Sequence, residues 1–249
     1  MRNHRRFFVK PGQIQADEAV IVGSIARQIC KVLRLKTGDP ITLLDGLGSI
    51  YEAEIESGTC ECVKARIVER RQSVNEPRLR LVLASCVPKS DRMELIVQKC
   101  TELGISGIEL VQSERTITRP DEAGNARKLD RWRKIATEAA EQCGRSKPPI
   151  LNGVLAFAEL VRLIPTFPLA IVAWEEELAV SLGEVLREKH GIDSALVIIG
   201  PEGGLTESEV EMAKAAGAVS VSLGGRLLRT DTAAIAACAA VMYELEGEL

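Results

Sequence analysis

Apolar residues along this chain fall into two different patterns. Up to about residue 72 they come in short alternating runs broken by glycine, such as 40–45, 49–55 and 61–70, where Cys62, Val63, Ala65, Ile67 and Val68 form the apolar set. Ile25, Ile29, Val32 and Leu33 recur at helical spacing over 24–35, behind Ser24 as a candidate N-cap. Several short strands, glycine turns and one helix predict a small β-barrel. Beyond the polar stretch that ends at Pro77, strand and helix patterns alternate. Strands are predicted at 79–87, 107–111, 168–174, 195–199 and 219–223, and helices at 91–103, 125–144, 156–163, 179–189 and about 231–245. That alternation predicts an α/β fold with a mostly parallel sheet covered on both faces. The expected domains are therefore 1–72 and 73–249.

The last fifty residues hold the densest signals. The run at 195–199 is too short and too β-branched for a good helix and reads as a buried strand. Thr206 and Glu209 have capping-box spacing, and Gly217 stands where the helix between them and the next strand would stop. Strand, loop, helix and strand imply a parallel pair joined by a crossover, so that glycine loops leave the carboxyl ends of neighbouring strands. Gly203 and Gly204 on one loop, and Gly224 and Gly225 on the next, would let backbone approach a ligand. The alternative is two ordinary tight turns. The last helix is rich in alanine, which suits close packing on a sheet or on a partner chain.

Composition narrows the choices. With 249 residues and 46% hydrophobic content there is enough for a large core, and no apolar run approaches membrane-spanning length. No signal peptide is evident, and a cytoplasmic location is expected. Seven cysteines, scattered and odd in number, read as reduced thiols; Cys60 and Cys62 lack a second close pair, so no metal site is expected. His4 and His190 are the only histidines, which disfavours a Ser-His-Asp hydrolase. Residues 1–80 carry 14 Lys/Arg against 10 Asp/Glu, whereas the rest carry 18 against 25, so a basic front precedes an acidic back. Arg2, Arg5, Arg6 and Lys10 surround Phe7 and Phe8, a pattern that anchors aromatics while offering arginines to phosphates.

Neither a P-loop nor a Rossmann glycine fingerprint occurs. The late loops instead combine glycine with Leu223, Leu227 and Leu228, and apolar walls with free backbone groups suit an adenine ring better than a triphosphate. Arg226, Arg229 and Asp231 surround the second loop, and Arg145 follows the long helix. These arginines read either as cleft residues or as structural ion pairs. Glu138 and Glu141, three apart on one helix face, are either solvated or hold a facing arginine.

Taken together, several segments resemble the RsmE family of small-subunit ribosomal RNA uracil-N3 methyltransferases, within the SPOUT superfamily. They are Gly200-Pro201-Glu202-Gly203-Gly204, Leu223-Gly224-Gly225-Arg226-Leu227-Leu228-Arg229-Thr230-Asp231-Thr232-Ala233, Gln98-Lys99-Cys100-Thr101-Glu102-Leu103-Gly104, Glu114-Arg115 and Glu138-Ala139-Ala140-Glu141-Gln142-Cys143-Gly144-Arg145. Arg5-Arg6-Phe7-Phe8-Val9 and Val32-Leu33-Arg34-Leu35-Lys36-Thr37-Gly38-Asp39 are similar to it as well, so the likeness runs over nearly the whole chain in order.

The resemblance implies an amino-terminal PUA-like barrel that binds RNA and a carboxyl-terminal domain tied in a deep trefoil knot. S-adenosylmethionine would lie against Ala173, Trp174, Gly200, Glu202, Gly203, Leu223, Gly224, Leu227 and Leu228. Arg229 or Arg145 would stabilise charge on the target uracil. Arg5, Arg6, Arg34 and Arg115 would contact RNA. The implied substrate is 16S ribosomal RNA, in the assembled small subunit, and the implied assembly is a homodimer. A non-catalytic ribosome-assembly binder and an enzyme using another nucleotide are the competing readings.

Overall fold

In the computed structural model, residues 5–88, 92–116, 122–189 and 191–246 are described. Arg2, His4, His190 and the expected helix start at Asp91 lie outside them. Two compact units emerge: Met1–Glu76 with Ala140–Pro148, and Pro77–Ala139 with Pro149–Leu249. The expected boundary is at 72, whereas the first unit runs to Glu76 and a second short segment of chain is counted with it.

The first unit contains strands β1 (Arg6–Phe8), β2 (Ile14–Gln15), β3 (Glu18–Val22), β4 (Pro40–Leu44), β5 (Ser49–Gly58) and β6 (Cys62–Gln72), with helix α1 (Ser24–Arg27) between β3 and β4. They form a six-stranded sheet in the order β1-β4-β5-β6-β3-β2, antiparallel except for β1 with β4. Alternation sends Ile41 and Leu43 of β4, Val63 and Ala65 of β6, and Ala19 and Ile21 of β3 into one core with Phe7, Val9 and Ile29. Two breaks of register between β5 and β6, at Glu52/Ala53 and Ile55/Ser57, match the curl of a sheet wrapped on its own core. Strands β2 and β3 were not foreseen.

The helix expected over 24–35 is shorter and changes type. After α1 the chain widens into a π-turn over Gln28–Val32, closed by Leu33 N–H donating to Gln28 C=O at 2.9 Å. One extra residue per turn rotates the succeeding side chains off the apolar face. Ile29 stays buried, while Val32 is 73% exposed and Leu33 37%.

The second unit runs β7 (Arg80–Cys86), α2 (Arg92–Glu102), β8 (Gly107–Gln112), α3 (Glu122–Cys143, counted with the first unit from Ala140 on), β9 (Ile150–Ala156), α4 (Phe157–Leu163), β10 (Leu169–Ala173), α5 (Leu182–Arg187), β11 (Ser194–Ile199), α6 (Glu207–Ala215), β12 (Val219–Val221) and α7 (Thr230–Glu246). Its sheet is wholly parallel, ordered β12-β10-β11-β7-β8-β9. Strand period decides the layers. Leu81, Leu83, Ala195, Val197 and Ile171 face α2, α5 and α7 (Met93, Ile96, Leu186, Ala234, Val241), whereas Val82, Ala84, Leu196, Ile198 and Val172 face α4 and α6 (Leu160, Val210, Ala213). Every residue of β11 is buried, so its burial on both faces explains the unbroken apolar run. The alanines of α7 let it approach α2 and the sheet closely: Ala234, Ala237 and Cys238 have no exposed surface.

One expectation is corrected. β11 and β12 are not neighbours: β10 lies between them and pairs with both. The crossover through α6 skips one strand position, because β10 already occupies the edge of β11. The consequence is favourable for a site, since three parallel carboxyl ends, at Ala173, Ile199 and Val221, now stand in a row.

Candidate cofactor cleft

Three loops leave those strand ends and enclose a cleft of about 860 Å³, within the range of small-molecule sites. The first loop follows β10. Trp174 N–H donates to Val221 C=O at 3.1 Å, and further on Ser222 N–H donates to Val180 C=O at 2.8 Å while Leu182 N–H donates to Ser222 C=O at 3.1 Å. The stretch 174–182 is therefore stitched to the end of β12. Ser181 then caps α5, its hydroxyl accepting from Glu184 N–H at 3.3 Å. The Ser181 hydroxyl, then its N–H, hold the Glu184 carboxyl below its ordinary range.

The second loop, after β11, is shaped by glycine. A Cβ on Gly200 would stand 3.0 Å from Leu205 Cγ and 3.1 Å from Leu205 N. Gly204 has φ +72°, and a Cβ there would run into the Glu175 carboxylate. Gly204 N–H closes the turn on Pro201 C=O at 2.9 Å. Thr206 caps α6 as its spacing predicted, its hydroxyl accepting from Glu209 N–H at 3.3 Å. Glu202 reaches Arg92 at 3.3 Å across the mouth.

The third loop, 222–229, is open. Gly224 has φ +111° and, like Gly225, would meet nothing within 4 Å through an added Cβ. Leu227 is 87% exposed, and Leu178 from the first loop 92%. Among the described residues, neither Arg226 nor Arg229 has an ion-pair partner. α7 begins beside the loop, with Asp231 in its first turn, where a helix end favours negative charge.

Three side-chain polar atoms are buried without a hydrogen-bond partner among the described residues: Trp174 Nε1, Ser220 Oγ and Asp231 Oδ1. Of these three, Trp174 Nε1 alone belongs to a residue that lines the cleft. With apolar walls from Ala173, Ile199, Leu223 and Leu228, and backbone on three sides, the residues fit an adenosyl group bearing an amino acid. Among the described residues, no three of His, Cys, Asp and Glu converge as a metal-ligand set.

Of the residues singled out in sequence, Ala173, Trp174, Gly200, Glu202, Leu223, Gly224, Leu227, Leu228 and Arg229 line the cleft. Gly203 does not; its carbonyl faces Arg115, whose Nη1 donates to it at 3.0 Å. Arg145 is not on the cleft lining either. It is 6% exposed in the first unit, where its Nη2 pairs with Glu76 at 3.0 Å. Arg5 pairs with Asp39 at 3.1 Å, and Arg6 lays its guanidinium on the backbone of Gly144. Arg34 is exposed, with φ +53°, directly after the π-turn. Glu141 accepts from Phe8 N–H at 2.9 Å. Glu175, Leu178, Ser181, Glu184 and Arg92 also line the cleft and were not foreseen. The one signal for them is the Ser181–Glu184 spacing of a second capping box.

A fully parallel sheet with a backbone-lined cleft, and a separate curled β unit, fit the two families that the chain matches, those of an RNA methyltransferase with a PUA-type domain. The RNA methyltransferase domain family matches residues 75–242, and the RNA methyltransferase PUA domain family matches 24–63. The chain is 34% identical over 250 residues to Ribosomal RNA small subunit methyltransferase E of Bacillus subtilis, covering 97% of each. Among solved structures, Ribosomal RNA small subunit methyltransferase E of Neisseria gonorrhoeae, bound to S-adenosyl methionine, superposes with a TM-score of 0.85 at 31% identity, covering 97% of this chain and 98% of that one. A Legionella pneumophila protein in complex with the same cofactor gives 0.86 at 29% identity, covering 96% of each chain. The chain belongs to the ribosomal RNA small subunit methyltransferase E family, whose members are S-adenosylmethionine-dependent enzymes.

Proposed function

We propose that this enzyme uses S-adenosylmethionine to methylate N3 of one uridine in 16S ribosomal RNA of the small subunit. The observation that carries the reading is the cleft: three parallel strand ends and two glycine loops, in a chain of this family. The Bacillus subtilis relative is named for the small-subunit RNA, and the Neisseria gonorrhoeae relative was solved with the donor.

When bound, the donor supplies an electrophilic methyl group on a sulfonium. Ala173, Trp174, Gly200, Glu202, Leu223, Gly224, Leu227 and Leu228 hold it, largely through backbone and apolar contact. Uracil N3–H is weakly acidic, so the ring would lose that proton to solvent water as N3 takes the methyl group, and negative charge would spread over its carbonyls. Arg229, on the lining and without an ion-pair partner among the described residues, stabilises that charge. Arg145 is already engaged by Glu76, and the charge-stabilising role therefore falls to Arg229. Holding donor and acceptor in register supplies much of the acceleration. N3 lies on the pairing edge, so the uridine must be unpaired or flipped.

The first unit serves RNA contact through Arg5, Arg6 and Arg34, and Arg115 of the second unit adds a cation. Arg34 is the most available, being exposed beside Val32 and Leu33. We assign a homodimer, a deep trefoil knot and a cytoplasmic location on the family resemblance. Support for the knot is local: Ser222 is bonded to Val180 and Leu182, and α7 then returns against α2, α5, β7 and β11.

Calorimetric titration tests the reading. S-adenosylmethionine should bind the wild-type chain, and Gly200→Val, whose side chain would fall on Leu205, should abolish the heat. Unchanged affinity in a folded Gly200→Val chain would place the donor elsewhere.

A further inference from the structure

Gly203 and Thr206, which do not line the cleft, carry a second set of contacts on and just after the glycine loop. The Glu209 side chain belongs to a buried residue, 4% exposed, and does more than cap its helix. Its Oε2 accepts from Thr206 N–H at 2.9 Å and from Thr206 Oγ1 at 3.2 Å, whereas Oε1 accepts from Glu114 N–H at 2.8 Å. One carboxylate thus ties the second residue past the glycine turn to a loop 95 positions earlier in the chain than Glu209 itself. That earlier loop is itself rigid. Ser113 N–H donates to Thr116 Oγ1 at 3.0 Å, their hydroxyls lie 2.8 Å apart, and Thr116 N–H returns to Ser113 C=O at 3.1 Å. Cys86, beneath it, is buried and hydrogen-bonded to Ser113 and Thr116; burial pushes its thiol up to about 12, so it stays neutral there. From this platform Arg115 extends to donate to Gly203 C=O at 3.0 Å.

We propose that Arg115 and Glu209 are positioning residues for the donor: a two-point clamp that fixes the Gly200–Gly204 turn. Glycines make the turn passable to a ligand but also loose, since each adds backbone freedom. Bonding Gly203 through its carbonyl, and Thr206 through its N–H, removes that freedom before the donor arrives. Preorganisation of this kind shows up as affinity. The inference rests on the reading that this turn holds S-adenosylmethionine. It also gives Arg115 a task that needs no RNA.

The experiment pairs titration of S-adenosylmethionine, without RNA, with amide hydrogen exchange of the donor-free chain. Arg115→Met should weaken binding about tenfold, the worth of one charge-assisted hydrogen bond, and speed exchange at Gly204 and Leu205. Arg115→Lys, which keeps a donor of similar reach, should restore most of both. Glu209→Gln should speed exchange at Glu114 and Thr206 together. Wild-type affinity and exchange in Arg115→Met would overturn the clamp. Faster exchange with no loss of affinity would overturn it differently, by showing that the turn is held but does not carry the donor. Weaker binding with unchanged exchange would make Arg115 a direct contact and end its positioning role. Glu209→Gln exchange that matches wild type would remove Glu209 from the clamp.

Discussion

Arg145 and Glu76 face each other within the first unit, the guanidinium Nη2 3.0 Å from Oε2 and Nε 3.3 Å from the same oxygen. The other carboxylate oxygen accepts from Ser146 N–H at 2.7 Å, Ser146 Oγ at 3.2 Å and Lys147 N–H at 3.0 Å. Both side chains are largely buried, at 7% and 18% exposure. Removing one member of such a pair leaves a desolvated charge and costs about 3 kcal/mol or more. Glu76→Ala should therefore lower unfolding free energy by about 3 kcal/mol in a urea titration, while a conservative exposed change such as Lys10→Gln leaves it unmoved.

Gly204 offers a sharper test of the turn. Its φ of +72° disfavours any side chain, and the Glu175 carboxylate occupies the space a Cβ needs. Gly204→Ala should cost about 1–2 kcal/mol in stability and displace Glu175 from the cleft wall. Calorimetry should show weaker donor binding. An unchanged dissociation constant would mean that the turn tolerates repacking.

Arg229 is expected to act on the reacting ring and not on the donor. Arg229→Met should reduce kcat by about a hundredfold while leaving S-adenosylmethionine affinity within a factor of about two, as loss of one charge-stabilising donor does. Single-turnover methylation together with calorimetry separates the two quantities.

Asp39 predicts a pH dependence in the first unit. Lys36 N–H, then the Arg5 side chain, hold its carboxyl below the ordinary value of 3.8. Its folded pKa is thus lower than its unfolded one, so its contribution is present above the unfolded value and fades as pH falls through the folded one. Asp39→Asn should be less stable than wild type at pH 7, and the difference should close on acidification below 3.8. Thermal melts across that interval check the sign.

How much of this was readable beforehand depended on whether local pattern or strand pairing decided the outcome. β7 and β11 announced themselves because both faces are buried and their centres, residues 81–84 and 195–199, are unbroken apolar runs. α6 was legible from Thr206 and Glu209, whose capping is local. β9 was not: it is an edge strand interrupted by Asn152 and Gly153, with Leu151 as its one buried residue. The π-turn at 28–32 left no mark, since its apolar spacing is that of a helix. Which of two adjacent glycines meets the cleft is set by backbone angle, so Gly203 and Gly204 looked alike in sequence. Glu175, Leu178 and Glu184 reach the cleft because β12 pairs beside β10, an arrangement no local pattern encodes.

The central claim is a transfer to uracil N3 in small-subunit RNA, and nucleoside mass mapping tests it most directly. Small subunits from cells lacking this gene, incubated with the purified enzyme and methyl-labelled S-adenosylmethionine, should gain one labelled N3-methyluridine in 16S RNA. The Arg229→Met enzyme should yield far less. Label on a ribose, on another base atom or on no RNA at all would contradict the account.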